Sequence, residues 1–127
     1  MPNSSKKILL VEDDPELLDV MTTKLSLSGL EFAVAETGRQ ALDYISQNPP
    51  ALILLDILLP DIDGLTILSE LVKKEETKAI PVIILSNLAD QASMEQAAAI
   101  GPYEYLVKAK TDLNDLIKKI KGKIGAE

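Results

Sequence analysis

The stretch Ala51–Gly64, ALILLDILLPDIDG, decides how the chain is read. Ala51 to Leu55 run without a polar break into a single acid, Asp56. A short apolar run with no alternation fits a strand buried on both faces of a parallel sheet. Pro60 and the pair Asp63-Gly64 then break the pattern, so Asp56 is expected where a central strand ends. Ligands of open α/β sheets bind beyond the carboxyl ends of the strands, which makes Asp56 a candidate site residue. The competing reading is an Asp that only caps a turn.

The rest of the chain gives that strand its context. At 127 residues it has the length of one domain, residues 1–127, with loose ends expected at 1–5 and 125–127. Hydrophobic residues make up 46%, enough for a core without cross-links. The absence of Cys excludes disulfides and thiolate metal sites, and the absence of His excludes a Ser-His-Asp triad and His-ligated zinc. No apolar run approaches the ~18 residues of a membrane span, and the N-terminal MPNSSKK lacks a signal core. A cytoplasmic protein without membrane contact is therefore expected. A net charge of −7 argues against direct nucleic-acid binding.

Read in order, Lys6–Val11 is a first apolar strand, followed at once by Glu12, Asp13 and Asp14. Asp14 before Pro15 reads as the N-cap of a helix that stops at Gly29. Leu30–Ala35 alternates like a strand, and Thr37 caps a helix ended by Asn48-Pro49-Pro50. After the Asp56 loop, Asp63 caps a third helix, and Pro81–Leu85 is a buried strand ending at Ser86. Asp90 is read as the next cap, Tyr103–Val107 as a fifth strand ending at Lys108, and Thr111 as the cap of the last helix. Five βα units in alternation require a parallel sheet with helices on both faces. With right-handed crossovers, the expected fold is a doubly wound (βα)5 sheet of flavodoxin-like order 2-1-3-4-5.

In that order the ends of strands 1, 3, 4 and 5 are neighbours. Glu12, Asp13, Asp56, Ser86 and Lys108 can then converge on one edge. Carboxylates that close repel one another, and a hard divalent cation such as Mg²⁺ would offset the repulsion. Lys108 adds a point charge and Ser86 a hydroxyl. Metal, ammonium and hydroxyl suit the oxygens of a transferring phosphoryl group, with Asp56 as nucleophile.

Four motifs in this order, ILLVEDD at Ile8–Asp14, LLDILLPDIDG at Leu54–Gly64, PVIILS at Pro81–Ser86 and YLVK at Tyr105–Lys108, make the chain resemble a receiver domain of bacterial two-component response regulators, similar to the chemotaxis response regulator. The resemblance implies Asp56 as phospho-acceptor, Asp13 as direct Mg²⁺ ligand, Glu12 as a ligand through water, and the Leu58 backbone carbonyl as a further ligand. It implies Ser86 as the hydroxyl that moves to the phosphate, Lys108 as its cationic partner and Tyr105 as a switch aromatic. The implied donor is a histidine kinase or histidine phosphotransfer protein. The implied output is the surface of helix 4, strand 5 and helix 5, directed at a downstream protein or at a dimer formed on phosphorylation. The only chemistry implied is the chain's own phosphorylation and dephosphorylation, so it is not expected to be an enzyme in its own right.

The chain departs from the family pattern at Ala109, where Pro usually follows the lysine, and at Asn87, where a small residue is usual. A non-proline cis bond costs about 2.5–4 kcal/mol, so Ala109 is expected to be trans. Leu58 and Leu88 offer nothing to orient an attacking water, which suggests a long-lived phosphoryl state. Asp61 reads as a solvated loop residue, and Lys118, Lys119, Lys121 and Lys123 as a mostly solvated helix face. Three alternatives compete. A haloacid-dehalogenase-like phosphatase would need an Asp where Leu58 stands. A flavin or nucleotide module would need a Gly- or Ser/Thr-rich loop where Glu12–Asp14 stand. A degenerate receiver acting as a scaffold would not need to retain the five site residues.

Overall fold

The computed structural model describes residues 7–87 and 91–125. Its strands are β1 (Ile8–Val11), β2 (Phe32–Ala35), β3 (Leu52–Leu55), β4 (Val82–Ser86) and β5 (Glu104–Val107). They alternate with α1 (Pro15–Leu27), α2 (Gly38–Gln47), α3 (Gly64–Val72), α4 (Gln91–Ile100) and α5 (Leu113–Ile124). All pairings are parallel and the order is β2-β1-β3-β4-β5, as the alternation of elements requires.

The unbroken apolar runs have a simple cause. Leu9, Val11, Ile53, Leu55 and Ile84 face one layer, packed on Ala41 and Ile45 of α2, Ile67, Leu68 and Leu71 of α3, and Ala97 of α4. Ile8, Leu10, Leu52, Leu54, Ile83 and Leu85 face the other, against Met21 and Leu25 of α1 and Leu116, Ile117 and Ile120 of α5. Successive strand residues point to opposite faces, and helices cover both, so every position of the central strands β1 and β3 is apolar and buried.

The caps fix where helices begin. Asp14 accepts from the Glu16 N–H at 3.0 Å, Thr37 from Gln40 at 3.1 Å and Asp63 from Leu65 at 2.7 Å, as the sequence suggests. The last helix differs. Asp112 is its N-cap, accepting from the N–H groups of Asn114 and Asp115, while the Thr111 hydroxyl donates back to the Val107 carbonyl. Both residues can cap, and the 3₁₀ turn at Lys108–Lys110 decides the register. β5 begins at Glu104 rather than Tyr103, and β4 includes Ser86. The Gly125 N–H donates to the Lys121 carbonyl and closes α5. Lys6, Leu88 and the Asp90 cap lie outside the described residues. Among the described residues no peptide bond is cis, so Ala109 is trans as expected.

Candidate functional site: an acidic pocket at the strand ends

β1 and β3 run side by side, with Val11 opposite Leu55, so the residues that follow them emerge together. Those residues are Glu12, Asp13 and Asp56. One carboxylate oxygen from each lies within 4.8 Å of the other two. Glu12 and Asp56 are buried, at 3% and 6% exposure, and Asp13 is exposed.

Lys108 reaches them from the end of β5. Its ammonium lies 2.8 Å from Glu12 Oε1 and 3.0 Å from Asp56 Oδ2. The other Asp56 oxygen, Oδ1, accepts from the Leu58 N–H at 3.1 Å. Glu12 Oε2 accepts from the Asp14 N–H at 3.1 Å. Each buried carboxylate is thus tied to the ammonium through one oxygen and to backbone through the other.

Burial raises the Glu12 pKa, and the negative charge of Asp56 adds to this, against the opposing pull of Lys108 and the Asp14 N–H. For Lys108 burial works against the charged form, but the hydrogen bonds to Glu12 and Asp56 and their charges outweigh it, and its pKa is raised. Lys108 is therefore an ammonium at neutral pH. Three carboxylates against one ammonium leave the pocket with excess negative charge when all are ionised. A donor set of hard carboxylate oxygens with that excess fits a divalent cation of the Mg²⁺ type.

The remaining sequence candidates lie on the same edge. Leu55 pairs with Ile84 in the sheet, so Ser86 continues β4 alongside the residues that follow β3. Ser86 is buried and pairs with Val107, the residue before Lys108. Tyr105 is half-buried on β5, opposite Ile84, and packs on the α2–α3–α4 layer. The Leu58 side chain is 55% exposed beside the pocket.

Residues 8–121 match the family of response regulator receiver domains. The chain belongs to that family. Among sequence relatives, it is 34% identical over 108 residues to a probable transcriptional regulator, ycf27, of Cyanophora paradoxa, covering 85% of this chain and 44% of that protein. This receiver domain therefore spans less than half the length of that relative. Its fold matches a CheY-like response regulator receiver domain protein from Methanospirillum hungatei JF-1 with a TM-score of 0.86 at 30% identity, covering 96% of this chain and 95% of that one. It matches the phosphorylated cyanobacterial phytochrome response regulator RcpA with a TM-score of 0.80 at 30% identity, covering 94% and 91%.

Two features of the receiver domain depart from the sequence reading. Asp61 is not merely solvated: its Oδ1 accepts from the Gly38 N–H at 2.7 Å and its Oδ2 from the Arg39 N–H at 3.0 Å. Lys119 and Lys123 are not both free on the helix face, since they lie 2.7 and 3.6 Å from the two oxygens of Glu104 on β5. Neither pairing has a local sequence signal, because the partners are far apart in the chain.

Proposed function

We propose that this receiver domain takes a phosphoryl group onto Asp56 from a phosphohistidine on a histidine kinase or histidine phosphotransfer protein. The observation that carries the reading is the meeting of Glu12, Asp13 and Asp56 oxygens within 4.8 Å, with the Lys108 ammonium 3.0 Å from the acceptor. Glu12, Asp13, Asp56 and the Leu58 carbonyl would hold Mg²⁺, whose charge offsets that of the carboxylates and of the incoming phosphoryl oxygens.

In the transfer, an Asp56 oxygen forms the new O–P bond as the N–P bond of the phosphohistidine breaks, and the histidine nitrogen leaves with the electron pair. Lys108 stays protonated and supplies a fixed positive charge next to the acceptor. The Leu58 N–H and the ammonium hold the carboxylate in one orientation, which lowers the entropy cost of attack. The chain acts only on its own Asp56, so we do not class it as an enzyme with a separate substrate.

The phosphoryl group then attracts Ser86 and Lys108. Charge-assisted hydrogen bonds contribute about 1.5–3 kcal/mol each. Shifting a two-state equilibrium from roughly 1:99 to 99:1 takes about 5.5 kcal/mol, and two or three such bonds are of that order. Tyr105, one residue along from Glu104 on β5, would pass the change to the α4–β5–α5 surface, and from there to a downstream protein or a second copy. With its net charge of −7 we assign no nucleic-acid contact to this domain itself, and we place it in the cytoplasm with its phosphodonor.

The test is incubation with a small phosphodonor such as acetyl phosphate, with Mg²⁺ or with a chelator. The reading predicts a mass gain of one phosphoryl group in Mg²⁺ and none in Asp56→Asn. Equal labelling of wild type and Asp56→Asn would refute it.

A further inference from the structure

The loop between β3 and α3 carries the Leu58 peptide, which touches the acceptor. It is fastened at both ends of its course. At its base the Gly64 N–H donates to the Ile57 carbonyl at 2.8 Å. A Cβ on Gly64 would lie 2.7 Å from the Asp56 carbonyl oxygen and the Ile57 Cα, so loop and helix start meet there without space for a side chain. Further along, Asp61 and Ile62 hold the loop to the start of α2. Both Asp61 oxygens accept from α2 N–H groups, and a Cβ on Gly38 would lie 2.7 Å from Ile62 Cβ.

Local groups satisfy only part of the first turn of α2. Thr37 already accepts from the Gln40 N–H, and the Thr37 carbonyl accepts from Ala41. Asp61 takes the two remaining first-turn donors from a loop 22 residues away in sequence. Those bonds lower its pKa, led by the Arg39 N–H, so the tether is charged at neutral pH. Between Asp61 and the acceptor there is no other strand or helix: Ile57, Leu58, Leu59 and Pro60 connect them directly.

We propose that Asp61 is a positioning residue for phosphoryl acceptance: by binding the Gly38 and Arg39 N–H groups it ties the β3–α3 loop to α2 and holds the Leu58 peptide in register with Asp56. The inference rests on the receiver reading of the site. Without the tether, the Leu58 N–H loses its fixed approach to Asp56 Oδ1, and the Leu58 carbonyl, which would help hold Mg²⁺, loses its support. Both the transfer rate and the Mg²⁺ requirement then change, with no change in the charges of Glu12, Asp13, Asp56 or Lys108.

The test compares wild type, Asp61→Ala, Asp61→Asn and Thr37→Ala, using acetyl phosphate over a Mg²⁺ series. Asp61→Ala is expected to slow labelling about three- to tenfold and to raise the half-saturating Mg²⁺ by a similar factor. Asp61→Asn keeps an acceptor oxygen and should fall between. Thr37→Ala removes a cap of the same helix without touching the loop, so its stability should fall while its labelling and Mg²⁺ dependence stay at wild type. Wild-type kinetics in either Asp61 variant would overturn the inference, as would an equal defect in Thr37→Ala. If Asp61→Ala does not fold, Asp61→Asn decides alone. An unlabelled wild type would remove the receiver reading and this inference together, whereas a labelled wild type with indifferent Asp61 variants would remove only the inference.

Discussion

Replacing Lys108 by Met tests the electrostatics of the pocket most sharply. The change keeps much of the stem and deletes the charge between two buried carboxylates. At N···O distances of 2.8 and 3.0 Å, each attraction is worth about 5–6 kcal/mol gross at an effective dielectric constant of about 20. Losing the lysine also removes its own desolvation cost, and the carboxylates relax towards water. The net cost of stripping one partner from such a cluster is about 3 kcal/mol. For a domain of this size that corresponds to a fall in Tm of roughly 10–15 °C at pH 7. The pH dependence follows from the signs. The Lys108 pKa is raised above 10.5, so its stabilisation is fully present below that pH and is lost only as pH rises through the folded value. The Glu12 pKa is already raised above 4.5 and will rise further without the ammonium. A buried carboxylate with a raised pKa weakens the fold above its folded pKa and ceases to do so below its unfolded one. The gap between variant and wild type should therefore shrink as pH falls from 7 towards 4. It should also shrink on adding Mg²⁺, because the pocket without the ammonium is more negative and binds the cation more tightly, each tenfold in affinity narrowing the gap by about 1.4 kcal/mol. Circular dichroism melts across that pH range, with and without Mg²⁺, are the assay. An unchanged Tm at pH 7, or a gap that does not narrow on acidification, would refute the argument.

Three further outcomes are expected. Gly64→Ala pushes a methyl group into the Asp56–Ile57 backbone and should cost about 2–3 kcal/mol, read by urea unfolding; a neutral result would mean that the loop base is looser than its contacts imply. Glu104→Gln should cost about 0.5–1 kcal/mol at pH 7. Its hydrogen bond from Lys119 holds the Glu104 pKa below 4.5, so that stability is present above 4.5 and disappears as pH falls through the folded pKa; paired melts at neutral and acid pH check this. Phosphorylated protein, freed of donor, should lose its label slowly, since the exposed Leu58 side chain beside the pocket cannot orient a water; loss within seconds without a phosphatase, followed by mass measurement, would count against that view.

Much of the fold was legible because it depends on patterns within single elements. Four residues without a polar break in β1 or β3 can only be accommodated between two helix layers, and Asp14, Thr37 and Asp63 each announce a helix start. The pocket was legible for a related reason: Glu12, Asp13, Asp56 and Lys108 directly follow their strands, so strand order alone brings them together. What escaped were contacts between elements. Asp61 lies in a polar loop and looks solvated until α2 is brought beside it, and Glu104 meets Lys119 and Lys123 only once α5 folds back over β5. The start of α5 was misread because Thr111 and Asp112 are both competent caps, and the choice is made by the turn at Lys108–Lys110 rather than by residue type.

The most direct measurement is to locate the phosphoryl group. Protein labelled with acetyl phosphate in Mg²⁺ is treated with hydroxylamine, which cleaves acyl phosphates, and parallel samples are mapped by tandem mass spectrometry. The account predicts one hydroxylamine-labile phosphoryl group, carried by Asp56 and dependent on the divalent ion. Label on any other residue, or label at Asp56 that forms equally well in chelator, would contradict it.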